Sequence, residues 1–171
     1  MKKLCSIFLL CFGWVIHLQA DPIVLTEENQ KVKLGHYLDF IEDTEGRLTI
    51  EDVRSPEVAA SFAPSLEEAL SFGYTNSVIW TRFRVINTLP VDNVQEWYFA
   101  IDSGLDSIKL FIPQPNGRYQ RKSISRWDSF YKREIPHRSI VFRLPIYPPE
   151  FTTDAAGTKP GNKIEESEHL R

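Results

Sequence analysis

The stretch Gly73 to Asn87, GYTNSVIWTRFRVIN, constrains the fold of this chain more than any other. After a turn-forming Gly-Tyr-Thr-Asn-Ser, it alternates strictly: Ile79, Thr81, Phe83 and Val85 fall on one side, Trp80, Arg82, Arg84 and Ile86 on the other. A period of two is that of an extended strand, whose successive side chains point to opposite faces of a sheet. The first set is apolar and predicts a core face. The second sets an indole beside two guanidinium groups, which predicts a face available to a ligand.

The same period recurs along the chain. Lys33 to Ile41 reads as a first strand and Leu48-Thr49-Ile50 as a short one. Between them Asp43-Thr44-Glu45-Gly46 is a turn, since Asp bonds its own downstream backbone and Gly supplies positive φ. Glu96 to Asp102 places Trp97, Phe99 and Ile101 on one face; Ser107 to Ile112 places Ile108, Leu110 and Ile112 inward. Pro113-Gln114-Pro115-Asn116-Gly117 reads as a hairpin connection, with Asn-Gly as its specific signal. The returning strand, Arg118 to Lys122, is polar enough to be an edge. Ser139 to Leu144 is the last clear strand, with Ile140, Phe142 and Leu144 on one face.

Helical signals are few. Ser55-Pro56 predicts a helical turn with Ser as cap and Pro at the first helical position, ended by Pro64. Ser65-Leu66-Glu67-Glu68 has the spacing of a capping box and predicts a second turn. Short strands separated by turn residues predict an all-β fold, a β-sandwich of the jelly-roll type.

The N-terminus has the character of a leader. Lys2 and Lys3 precede the apolar run Leu4 to Ile16, and Ala20 is the small residue that a signal peptidase requires. The run falls short of the roughly 20 residues needed to span a bilayer as a helix, so residues 1–20 read as a cleaved signal peptide rather than an anchor. Both cysteines, Cys5 and Cys11, lie inside it, and the mature chain has no thiol for a disulfide or a metal. Loss of Lys2 and Lys3 leaves 18 basic residues against 23 acidic, a net charge of −5. An acidic, cysteine-free, exported chain suits a bacterial periplasm or secretion. No basic run offers itself to nucleic acid, and the mature chain shows no membrane span.

Residues 21–33 read as a polar lead-in and 34–147 as the sandwich domain. From Pro148 to Arg171 the chain loses periodicity and is rich in Gly, Pro, Thr and charge. That composition predicts a disordered tail.

Four segments together resemble one family: GHYLDFIEDTEGRLTIEDVRSPEVAASF (35–62), LSFGYTNSVIWTRFRVIN (70–87), WYFAIDSGLDSIKLFIPQPNGRY (97–119) and REIPHRSIVFRLPI (133–146). The chain is similar to the second type of extracellular domain of the bacterial 7TMR-DISM receptors, seven-transmembrane receptors with diverse intracellular signalling modules. The resemblance covers Leu34 to Ile146. It implies a jelly-roll domain similar to carbohydrate-binding modules, which senses a small ligand such as a carbohydrate for a membrane receptor. In that family further strands follow the Pro-His-Arg segment, then the membrane and output regions. Here residues 148–171 stand in that place, so the sandwich is expected to lack its last strands. A free periplasmic carbohydrate-binding protein and a nonfunctional truncated fragment are the alternative readings.

Candidate ligand-binding residues are Trp80, Arg82, Trp127, His137 and Arg138. An indole stacks on the apolar face of a sugar ring, and Arg presents a rigid fork of donors. The packing alternative puts Trp80 beneath a loop and pairs Arg82 with Asp102 or another acid on a neighbouring strand. His137 and Arg138 begin the last strand, where His137 either bonds a ligand or caps backbone groups. Trp127 and Tyr131, in the irregular stretch before it, predict a loop-borne aromatic rim. Asp43, Glu45 and Asp52 fit no EF-hand spacing and read as solvated turn residues rather than a calcium site. His36, His137 and His169 are far apart, no Gly-x-Ser-x-Gly elbow is present, and no pair of carboxylates stands out. No catalytic residue, cofactor or metal is therefore predicted, and the expected activity is recognition.

Overall fold

The computed structural model describes residues 19–28, 31–90, 96–101, 105–145 and 156–160, the last as backbone alone. The leader assigned to residues 1–20 lies outside these except for Gln19 and Ala20.

Strands dominate, with few helices, so the fold is all-β. In chain order they are β1 (Ile23–Leu25), β2 (Asp39–Asp43), β3 (Ala63–Pro64), β4 (Val78–Arg82), β5 (Val85–Asn87), β6 (Trp97–Ile101), β7 (Leu105–Pro113), β8 (Tyr119–Ser125), β9 (Ile140–Leu144) and β10 (Ala156–Pro160). Two short helices, α1 (Ile50–Val53) and α2 (Pro56–Ala59), fall between β2 and β3. The main sheet has six strands in the order β3-β2-β4-β10-β7-β8, while β6 pairs with β9 and β1 with β5.

Three apolar clusters join these parts. Ile108, Leu110 and Ile112 of β7, with Ile124 of β8, meet Ile140 and Phe142 of β9, and Phe99 and Ile101 of β6 pack against them. The β6–β9 pair thus forms a second layer over one face of the main sheet. Ile23 and Leu25 of β1 close one end against Phe83, Val85 and Leu89. On the opposite face of the main sheet, Val53 of α1 and Phe62, just after α2, cover Trp80 and Phe111.

Local chemistry explains most boundaries. The Asp43–Gly46 turn forms as expected: the Asp43 carboxylate accepts the Leu48 N–H at 2.8 Å, and Gly46 has φ of 64°. The hairpin forms too, with Gly117 at φ 77° and its N–H on the Gln114 carbonyl. β8 is the sheet edge that its polarity implied. Ser55 caps α2 at the Val58 N–H, with Pro56 at the first helical position.

Several boundaries differ. The strand expected over Lys33 to Ile41 is displaced: Gly35–Tyr37 is a 3-10 turn and the strand runs Asp39–Asp43. Apolar residues before Asp39 instead pack against the β1 cluster. Leu48-Thr49-Ile50 is not a strand, because Thr49 caps α1 in a reciprocal box with Asp52. The Thr49 backbone N–H is the main cause holding the Asp52 carboxyl below its usual range. Ser65 makes no second helix; its hydroxyl accepts the Glu67 N–H in a local turn. The lead-in assigned to 21–33 carries β1, with Ile23 and Leu25 buried in the core.

The largest correction concerns five residues of the stretch assigned to a disordered tail, 148–171, the rest of which lies outside the described residues. Residues 156–160 form β10, antiparallel to both β4 and β7. Gly157 stands opposite Trp80 on one side and Lys109 on the other. The five residues have no strand-like alternation. Their conformation follows from two neighbouring strands that each leave a row of backbone donors and acceptors to be paired.

Candidate functional site

Both faces of β4 are covered. Ile79 is fully buried, and Trp80 is only 4% exposed. The Trp80 indole stacks on the Phe111 ring at 5.8 Å between centroids, beneath Val53 and Phe62. The open aromatic platform expected there is corrected to a core position: α1 and α2 cover the face that the alternation left unassigned.

Arg82 is likewise engaged within the fold. Its Nε donates to Asp39 Oδ2 at 3.0 Å and its Nη1 to the Ala59 carbonyl at 3.0 Å. The guanidinium lies 4.4 Å over the Phe62 ring. Asp39 stands directly opposite on β2 and is the neighbouring-strand acid that the packing alternative required; Asp102 lies outside the described residues. In the uncleaved chain the other Asp39 oxygen accepts the Ala20 N–H at 2.7 Å and Arg84 donates to the Ala20 carbonyl at 2.8 Å, bonds that cleavage after Ala20 removes while leaving the Asp39–Arg82 pair. This ion pair is buried, with side chains 16% and 6% exposed. Asp39→Ala, which strands a buried guanidinium, is expected to cost about 3–5 kcal/mol. Asp39→Asn, which keeps an acceptor, is expected to cost less. Urea unfolding measures both, and an unchanged Asp39→Ala midpoint would show the pair to be dispensable.

The remaining candidates converge on the connection between β8 and β9. Seven basic and two acidic residues lie between Arg118 and Arg138, in a chain whose net charge is −3. Trp127 is 65% exposed, Phe130 47% and Tyr131 94%. These rings sit on a loop that is pinned at several points. Asp128 accepts the Ser125 N–H and the Lys132 ammonium at 2.8 and 2.9 Å. The Lys132 bond, then the Ser125 bond, holds the Asp128 carboxyl below its usual range. Ser129 caps a 3-10 turn over Phe130–Lys132. Arg126 bonds Asp106 and lies 4.9 Å from the Trp127 ring centroid.

Arg133 ties this loop to the other candidates. Its Nη1 donates to the carbonyls of His137 and Arg138, while the guanidinium lies 5.2 Å from the Phe130 ring centroid. His137 Nδ1 accepts the Ser139 N–H at 3.1 Å. The residue therefore caps the strand entry, and the neutral ring carries its proton on Nε2. His137 and Arg138 are both exposed.

Trp127, Tyr131, His137 and Arg138 are thus all exposed on the β8–β9 connection, whereas Trp80 and Arg82 belong to the interior. Sequence reasoning missed Phe130 and Arg133; the sole signal was a cation a few residues before a Pro-His-Arg turn. Among the three acids considered for calcium, Asp43 and Asp52 serve turn and cap, and Glu45 pairs with Arg47 at 3.2 Å. No group of three or more His, Cys, Asp or Glu side chains able to hold a metal occurs among the described residues. No helix among them is long and apolar enough to cross a membrane.

The described residues thus form a strand-built domain that carries exposed rings and cations on the loop between β8 and β9. The sequence matches the family described as 7TMR-DISM extracellular 2 over residues 35–157, well over half the chain, and the chain belongs to that family. The match reaches into β10, so part of that strand lies within the family domain. No curated protein matches the chain.

Proposed function

We propose that the chain is the periplasmic ligand-sensing ectodomain of a membrane signal-transduction receptor, exported by the leader in residues 1–20, and that its ligand is a carbohydrate. Its activity is recognition, with no catalytic step. The two-layer strand arrangement is read as a jelly roll of the kind used by carbohydrate-binding modules. The observation that carries the reading is the exposure of Trp127 and Tyr131 on a loop already held by Asp128, Ser129 and Arg133. Rings held in place before binding lose little entropy when a sugar stacks on them. The Arg126 guanidinium lies against the Trp127 ring, and an indole has two faces, so one is left for the sugar.

Glycan-array screening followed by calorimetry tests this reading. Trp127→Ala is expected to weaken the best glycan about tenfold, a loss of about 1.4 kcal/mol, without moving the melting temperature. Absence of any bound glycan, or binding indifferent to Trp127, would refute it.

A further inference from the structure

We infer that the ligand of the β8–β9 loop is an acidic saccharide, whose ring lies on Trp127 or Tyr131 and whose anionic group meets Arg133, His137 and Arg138. The inference rests on the loop being the ligand site and adds the chemical class that it selects.

The selection follows from which groups are already committed. Each carboxylate near the loop is occupied. Asp128 holds Ser125 and Lys132, and Asp106 holds Arg126. Glu134 holds Lys122 at 2.9 Å and the Arg143 N–H at 3.4 Å. No Asn or Gln occurs between Ser125 and Ser139. A neutral sugar offers only uncharged hydroxyls, and the carboxylates that would otherwise balance the loop's cations are engaged elsewhere. The loop's donors are plentiful. Among the described residues, neither Arg133 nor Arg138 is paired with a carboxylate. Arg133 spends Nη1 on two carbonyls and keeps the rest of its fork. With Nδ1 engaged by Ser139, His137 offers Nε2–H.

Aromatic plates beside a surface of donors fit a ring that carries a carboxylate, since charge-assisted bonds from guanidinium to carboxylate are the stronger kind. The three exposed rings are too small a patch for a stable protein partner. Even fully covered at about 150–250 Å² each, they fall short of the roughly 800 Å² per side of a standard interface.

The test is calorimetry on the full mature chain with two oligomers of equal length, one of galacturonic acid and one of galactose. The acidic oligomer is expected to bind at least tenfold tighter at low salt, with the gap narrowing as salt screens the charges. Arg138→Gln, which leaves Arg133 and His137 in place, is expected to narrow the preference for the acidic oligomer severalfold. Trp127→Ala is expected to weaken both. Equal binding of the two, unaffected by Arg138→Gln, would overturn the acidic selection and leave the ligand site standing. Binding of neither oligomer would overturn both. Sedimentation with phosphatidylglycerol vesicles in the absence of oligomer binding would replace the sugar with a lipid surface and so overturn the inference.

Discussion

Trp80→Ala is expected to cost about 3–5 kcal/mol, the range for deleting a large aromatic from a packed interior. The indole fills the space between the main sheet and the helical cover, stacked on Phe111 and enclosed by Val53 and Phe62. Domains have roughly 5–15 kcal/mol in total, so the variant should be largely unfolded or melt far below the parent. Trp80→Phe is a sharper companion. The indole N–H is buried without a partner among the described residues, so removing it forfeits no hydrogen bond. Its cost is only the lost ring volume. Thermal unfolding of the parent and both variants decides the point. A Trp80→Ala protein melting close to the parent would return Trp80 to the surface.

A chain ending at Pro145 is expected to lose its cooperative fold. It lacks β10, which pairs with β4 from Ala156 to Thr158 and with β7 from Ala156 to Pro160. Removing a central strand opens two edges, and each unmade buried bond costs about 1–3 kcal/mol. A milder version is Thr158→Pro, which deletes one donor from the middle of the ladder. Proteinase K gives an independent reading. A disordered tail would be cut rapidly within Ala156–Pro160, whereas those residues lie in β10 between β4 and β7 and should be cut slowly. Rapid cleavage there, with the truncated chain melting like the parent, would show that β10 is not part of the cooperative unit.

The two predictions concern the places where sequence and structure part. Alternation in Gly73–Asn87 correctly marked a strand, and it correctly put Phe83 and Val85 in a core. It could not say what lies over the second face, because period two distinguishes faces and not their coverings. The polar character of Arg82 and Arg84 suggested solvent. In the fold, Arg82 is neutralised by Asp39, 43 residues away in sequence. The loop rim was legible in part: Trp127, Tyr131, His137 and Arg138 sit in an irregular stretch without a core face. The staple by Arg133, from the Phe130 ring to the His137 and Arg138 carbonyls, was not, since it depends on how the chain turns around Pro136.

What the sequence determined by itself is local. Asp43-Gly46, Asn116-Gly117 and Ser55-Pro56 dictate turns and a cap through backbone preferences and side-chain bonds within a few residues. The inward rows of β6, β7 and β9 follow from alternation, because burying an apolar row is favourable in almost any sandwich. Membership of the 7TMR-DISM extracellular family was legible for the same reason, as it is carried by those turns and rows in order. Only the tertiary structure decided that α1 and α2 close over Trp80, that Asp39 answers Arg82, and that Ala156–Pro160 completes the main sheet. Each of these is a pairing between distant segments. Its free energy comes from burial or hydrogen bonds made by both partners at once, so neither segment displays it alone.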